Sequence, residues 1–522
     1  MMAAAVRFWG IRFGLPHTFT RPDETIIIDV ALSFLRGNLR PAFYDYPWLY
    51  MWALAALYLL YYAWGRIIGA FHSVADMVAM WPINWIPFFL IPRALSAVLG
   101  TTTVLVVYRI GRRLSGETTG VVAALFMALA FLHVRDSHFA TTDIAMTFLL
   151  MLSISLLIDA HLSKSSRDFV IAGIVGGLAA ATKYNALLLA APLAMSYVVN
   201  LVDASDRRKA FRDPRLLWFG IPFLMAFAIG VPFLLFDLRK FLGEMGLLRE
   251  SMEIGSRGLE LSVGWIHHLQ FSLRYGVGLP LLAAGLAGMA LMLVVEPRMA
   301  VILLSFPIAY FIIAGSIRNL FFRYAIPLVP FVCITAAWLV TWLLSKWPKP
   351  TRFPHALTAA AAVVIVLPSA ISTVQFDRII SRSDNRVVVA RWFDEHVPAG
   401  STVLMSGSPY GYVQFTRGKN YKAWLWDRKR LMFLTFPEDR PATGRPEYIL
   451  VQESPLPYQT QPEVSAMLKE NYKLIERFQA FAPDEARVYD LQDAFFTPFA
   501  GFHGVQRPGP NYSLYKRGDS GT

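Results

Sequence analysis

The chain has 522 residues, of which 55% are hydrophobic and only 16% charged; a soluble globular protein has about a quarter of its residues charged, so that class is excluded. The formal net charge is +13, but the basic residues cluster between apolar runs, where they orient a membrane protein rather than read a nucleic-acid backbone. A single cysteine, Cys333, lies inside an apolar run and excludes an intrachain disulfide or a cysteine-based metal site.

At the N-terminus, "MMAAAVRFWGIRFGLPHTFT" (1–20) is too short, and too interrupted by Arg7 and Arg12, to span a bilayer. It lacks a signal-peptide cleavage pattern; the preferred expectation is a first helix that has lost part of its length, the alternative a chain that begins on the outer side. Next comes "FTRPDETIII" (19–28), an acidic pair, Asp23 and Glu24, behind a proline. "YPWLYMWALAALYLLYY" (46–62) is rich in the Tyr and Trp that favour the membrane interface, and is expected to lie along it; the alternative is a hairpin with 74–91.

Ten apolar runs follow, at 92–111, 118–134, 144–160, 169–182, 184–202, 216–236, 275–295, 299–317, 324–345 and 353–375. Every second connector is short and basic: "YRIGRRL" (108–114), "HLSKSSRD" (161–168), "DASDRRKAFRDPR" (203–215), "EPR" (296–298) and "KWPKPTR" (346–352). The positive-inside rule makes these five cytoplasmic. The alternate set then faces outward: "RDSHFATTD" (135–143), Lys183, the 237–274 loop, "SIRNLFFR" (316–323) and everything after about 376. From there the chain turns polar. "VVVARWFDEHVPAGSTVLM" reads as a helix, a turn and a strand, "EYILVQES" as a strand, and "PEVSAMLKENYKLIERFQAF" as a helix running into a strand. The expected architecture is a polytopic α-helical membrane protein of about ten to twelve transmembrane helices with a C-terminal extracytoplasmic α/β domain. Its parts are a catalytic membrane domain, 1–375, whose first outer loop covers about 18–91, and a soluble domain, 376–522. The location is a plasma membrane, the inner one of the cell.

On the outward face the parity collects Asp23, Glu24, Asp45, Arg135, Asp136, His138, Asp143, Lys183, Arg318, Arg323 and Tyr324. Ionisable groups at membrane depth are costly and mark function by default. Carboxylates suit a general base, and cations with tyrosines suit a phosphate. Each residue also has a plainer reading. Asp23 behind Pro22 can cap a helix, and so can Asp143 in "TTD". Arg318 and Arg323 can anchor a helix end in headgroups, and Lys183 can snorkel. His267 and His268 are adjacent, so a metal site there is a poor expectation. "GIVGGLAAA" (173–181) is most simply a close-packing helix face.

"RPDE", "YDYPWLYMWAL", "VRDSHFATTDIAMTFLL", "GLAAATKYNALLLAAPL", "FRYAIPLVP" and the tail's "QDAFFTPFAGFHGVQRPGPN" together resemble the GT-C glycosyltransferases of the protein mannosyltransferase and aminoarabinose transferase group (glycosyltransferase family 39), in its bacterial form. The resemblance implies a GT-C fold and inverting transfer of a sugar from a polyprenyl-phosphate donor to an acceptor hydroxyl at the outer membrane face. The acceptor is a protein, lipid or glycan, and no nucleic acid takes part. By that likeness Asp23 is the general base and Glu24 its neighbour, Asp143 is the second-loop acid, Arg135 stands eight residues before it, and Lys183 is its partner. The aminoarabinose transferases carry a Lys-Pro-Pro motif where this chain has "DYPW", so Tyr46 takes the lysine's place. Phosphate binding then leans on Arg323 and Tyr324, with Arg135 in support; His138, Lys183 and Arg318 complete the expected substrate-binding set. No cofactor is expected; the alternative weighed against is a divalent cation beside Asp23 and Asp143.

A secondary transporter or flippase of a lipid-linked or anionic substrate is the rival class. It calls for ionisable groups in mid-span and for internal repeats; here the charges gather in loops, and no repeat is evident.

Overall fold

Backbone amides cannot go unpaired in hydrocarbon, so apolar runs of this length must become helices. The computed structural model describes residues 1–40, 43–234, 236–255, 259, 261–346, 354–457, 460–483 and 486–518, and each of the ten runs is helical in it. In chain order they occupy Ile86–Ser115, Glu117–Leu129 with Phe131–Asp136, Thr142–Ser163, Ser166–Thr182, Tyr184–Leu189 with Ala190–Asp203, Arg215–Gly230, Gly264–Val277 with Leu279–Val295, Pro297–Ser316, Phe322–Leu328 with Val329–Ser345, and Pro354–Ile380. Among the described residues six helical stretches are long and apolar enough to cross a membrane, or seven if the bent pair around Gly278 is one span. The protein is thus a multi-pass helical membrane protein. The helices Ser166–Thr182 and Arg215–Gly230, of 17 and 16 residues, stand at the short end of what crosses a hydrocarbon core. The 46–62 stretch forms the helix Leu49–Ile67, which is not among the candidate spans. All but the first residue of the last basic connector, 347–352, lies outside the described residues.

Three breaks have local causes. Ala130 turns extended (φ −66°, ψ 104°) between Glu117–Leu129 and Phe131–Asp136. The freed carbonyls of Met127 and Ala128 accept hydrogen bonds from the buried guanidinium of Arg7, doing what water would do at an exposed helix end. Gly278, at φ +81°, provides the 116° bend between Gly264–Val277 and Leu279–Val295, a conformation open to glycine at little steric cost. Lys183 is extended (φ −155°, ψ 131°) and ends Ser166–Thr182, so the join at "TKYN" is a true break.

The close-packing reading of "GIVGGLAAA" holds. A Cβ on Gly173 would lie 2.3 Å from the Phe219 carbonyl oxygen, and one on Gly177 2.2 Å from that of Phe223. The two backbones approach because nothing stands between them, the usual device for helix pairing in lipid.

The chain divides into two compact units: Met1–Phe8 with Ile26–Val374, and Trp9–Thr25 with Gln375–Thr522. The second is built on a seven-stranded sheet of β1 (Thr402–Met405), β2 (Lys422–Asp427), β3 (Met432–Phe436), β4 (Arg440–Pro441), β5 (Tyr448–Glu453), β6 (Tyr472–Phe478) and β7 (Asn511–Arg517), in the order β4-β3-β2-β1-β5-β7-β6. β1 runs parallel to β2 and β5, and the remaining pairs are antiparallel. Period-two alternation sends Val403 and Met405 to one face, with Val389 and Phe393 of the helix Asn385–His396. Leu404 goes to the other, with Val464 of the helix Pro462–Asn471. Both helices, and the strands expected in the tail, fall where hydrophobic patterning put them. Trp9–Thr25 belongs to this unit, a grouping that composition did not indicate.

Candidate functional site

In the membrane unit, two helix ends place an acid beside a base. Thr142–Ser163 opens at the extended Thr141, whose side chain makes no capping bond, and Asp143 sits in the first turn. The Asp143 carboxylate does not cap its helix: its Oδ1 lies 2.6 Å from Lys183 Nζ, and both side chains are largely out of water. The chain break at Lys183 leaves the ammonium at the mouth of its helix. The same ammonium stands 5.5 Å from the centre of the Tyr324 ring, within cation–π reach. Behind it Asn185 Nδ2 donates to the Tyr310 hydroxyl (3.3 Å), which donates to the Tyr324 carbonyl (2.8 Å). Sequence reasoning missed Asn185 and Tyr310. The signal available was a phenol in mid-run, since a buried tyrosine hydroxyl needs a partner. Thr141, Thr142 and Thr147 add three buried hydroxyls at this end of the helix that have no hydrogen-bond partner among the described residues.

The other cations are placed less uniformly. Arg323 is buried in the turn Phe322–Leu328 with its guanidinium 4.3 Å from the Phe321 ring centre. Arg318 is exposed, and its backbone N–H donates to the Met252 carbonyl (2.9 Å). Arg135 is buried against Asp136 (2.9 Å) and stacks near Phe139, so that neighbours neutralise each other. His138 is buried with Nδ1 3.0 Å from the Val134 carbonyl oxygen. Tyr46 is half-buried, edge-on to Phe43. His267 and His268 present their rings edge-to-face, 5.9 Å apart, with His267 stacked on Phe271. Among the described residues no three His, Cys, Asp or Glu side chains gather as a metal site would need.

The residue beside Lys183 continues the network. Tyr184 donates to the Tyr44 carbonyl oxygen (3.1 Å), Tyr44 N–H donates to Glu244 Oε2 (2.5 Å), and the Tyr44 hydroxyl donates to Asp237 Oδ2 (2.8 Å). Phe241 lies 5.9 Å from both tyrosine rings. Burial first, then the bond to Asp237, pushes the Tyr44 phenol up, so it stays a donor. The first-loop stretch around Tyr44 and the Leu238–Ile254 helix are thereby joined.

Asp23 and Glu24 lie in the other unit. They occupy the first turn of Pro22–Leu35, with Pro22 opening the helix; Asp23 is therefore inside the helix and not its N-cap. Asp23 is half-buried and Glu24 wholly buried. The preceding residue, Arg21, is buried in an ion pair with Asp493. Upstream, His17 Nε2 lies 2.8 Å from the Tyr412 carbonyl oxygen, and Thr18 exchanges two hydrogen bonds with Gln414. Burial, reinforced by the charge of Arg386, pushes His17 down to about 3, so the ring is neutral at working pH. Arg386 itself is forked onto Asp384 by bonds of 2.8 and 2.7 Å.

Residues 90–236 match the sequence profile of the dolichyl-phosphate-mannose-protein mannosyltransferase family. No curated protein matches the chain by sequence. Among solved structures the chain resembles the apo oligosaccharyltransferase of Archaeoglobus fulgidus, with a TM-score of 0.51 and 14% identity, over 78% of this chain and 61% of that one. It thus spans 61% of the length of that relative. It also resembles ArnT from Cupriavidus metallidurans bound to undecaprenyl phosphate, with a TM-score of 0.50 and 13% identity, over 99% of this chain and 97% of that one. The chain is built on the GT-C fold and, over residues 90–236, carries the sequence pattern of the protein mannosyltransferases.

Proposed function

We propose that this protein is an inverting glycosyltransferase that moves a hexosyl or pentosyl group from a polyprenyl-phosphate donor to an acceptor hydroxyl at the extracytoplasmic face of the membrane. The observation that carries the reading is the Asp143–Lys183 pair with Tyr324 beside it, at the ends of apolar helices in a GT-C fold. Lys183, Arg323 and the Tyr324 hydroxyl are the groups suited to the donor phosphate, with Arg318 as an exposed further cation. Asp143, 2.6 Å away, holds the Lys183 side chain in place.

In the reaction the acceptor oxygen attacks the anomeric carbon from the side opposite the phosphate. One carbon–oxygen bond forms, the bond to the phosphate oxygen breaks, and polyprenyl phosphate leaves. Asp23 takes the acceptor proton, and Glu24 shares its helix turn. The leaving phosphate gains charge as the bond breaks, and fixed cations and donors stabilise that charge more than they stabilise the ground state. A positioned base contributes roughly 10²–10⁴ in rate.

The test is Asp23→Asn in the full-length protein, offered undecaprenyl-phosphate-linked mannose, glucose, arabinose and galactosamine with native envelope acceptors. Transfer by the wild type and a loss of about 10²–10⁴ in the variant, with undecaprenyl phosphate binding and thermal unfolding unchanged, support the reading. Wild-type turnover in the variant overturns it.

A further inference from the structure

The first turn of the Asp23 helix opens with a proline, which has no N–H. Its placement depends on what grips the residues just before it. His17 meets the Tyr412 carbonyl at 2.8 Å. Thr18 N–H donates to Gln414 Oε1 (2.9 Å), and Gln414 Nε2 donates back to Thr18 Oγ1 (2.7 Å). The Phe19 carbonyl accepts from Arg386 (3.5 Å), a guanidinium that also donates to the Tyr410 carbonyl (2.7 Å). Arg21, two residues from Asp23, is wholly buried and ion-paired with Asp493. Every one of these partners comes from the C-terminal segment of the same unit.

A pair of apolar side chains would hold a surface loop at lower desolvation cost than a buried ion pair does. What a buried ion pair adds is a fixed partner, because parting the Arg21 guanidinium from the Asp493 carboxylate would strand a charge out of water. Resting on the reading of Asp23 as the base, we infer that Asp493 is a positioning residue. Through Arg21 it sets where the first turn of Pro22–Leu35 begins, and so where the Asp23 carboxylate points. The ties of Thr18 to Gln414 and of Phe19 to Arg386 support the same turn from its N-terminal side. The C-terminal segment is on this view a working part of the reaction.

The experiment uses the full-length protein, with undecaprenyl phosphate as the binding probe and the sugar-linked undecaprenyl phosphates above as donors. Asp493→Asn is expected to lower kcat by about 10–100-fold, the size of effect a misplacement of about 1 Å produces. KM for the donor and Kd for undecaprenyl phosphate stay at wild-type values. The pH dependence of kcat/KM is expected to shift, because the base no longer sits in one setting. The exchange Arg21→Asp with Asp493→Arg is expected to recover part of kcat. Gln414→Ala removes only an exposed tie and keeps the measurement informative if Asp493→Asn does not fold; it is expected to lower kcat several-fold with KM unchanged. Wild-type kcat in Gln414→Ala and in any folded Asp493→Asn, with Asp23→Asn inactive, overturns the positioning role and leaves the base in place. An active Asp23→Asn removes the base and this inference with it.

Discussion

Lys183 and Asp143 are 2.6 Å apart, with 12% and 5% of their side chains exposed, so neither charge is tolerable alone. Lys183→Met leaves a buried carboxylate without its partner and is expected to destabilise the protein by about 3–5 kcal/mol. Adding Asp143→Asn removes the stranded charge, and the double variant is expected to regain most of that loss, because replacing both members of a buried pair is often near neutral. Transfer is expected to stay absent in the double variant, because the ammonium that faces Tyr324 and the proposed donor phosphate is gone. Thermal unfolding in detergent together with a transfer assay separates the two roles. A double variant that is stable and fully active makes the pair structural only.

At the scale of helices, contact between Ser166–Thr182 and Arg215–Gly230 depends on missing side chains. A Cβ at Gly177 would sit 2.2 Å from the Phe223 carbonyl oxygen and 2.8 Å from the Ala226 Cβ, so one backbone has to move. Gly177→Ala is expected to cost about 1–3 kcal/mol, the usual cost of overpacking. Gly220→Ala, on the facing helix, meets nothing within 4 Å and is expected to be neutral or slightly stabilising through helix propensity. Melting temperatures of the two variants side by side check this; equal melting temperatures would sink it. That close-packed face was legible in "GIVGGLAAA", as were the ten helical runs and the tail's alternating strands, because each leaves a local period in the chain. The docking of Trp9–Thr25 was not legible. It rests on His17 meeting a carbonyl 395 residues away and on Thr18 meeting Gln414 at a separation of 396, and such ties leave no periodic trace. Asn185 and Tyr310 escaped for the same reason, while Asp143 and Lys183 were collected by the alternation of basic connectors and paired through family likeness.

For the whole molecule, the alternation of basic connectors makes a claim about sidedness that the fold alone leaves to experiment. The connector 203–215 carries five basic residues: Arg207, Arg208, Lys209, Arg212 and Arg215. Short loops of this kind stay on the cytoplasmic side, and their acidic residues weigh little in the balance. An odd number of crossings separates that connector from the tail if each of the runs 216–236, 275–295, 299–317, 324–345 and 353–375 crosses once, which puts the tail outside. The chain lends itself to a labelling test because its one cysteine, Cys333, is buried. A membrane-impermeant maleimide applied to spheroplasts is expected to label Ala399→Cys, on an exposed turn of the tail, and to spare Arg208→Cys until the membrane is permeabilised. Sugar nucleotides are cytoplasmic, so an outward tail and an outward Asp23 go together with a donor that a lipid carries across the membrane. The reverse labelling pattern would remove the reason for a polyprenyl donor and point the chemistry towards the cytoplasm.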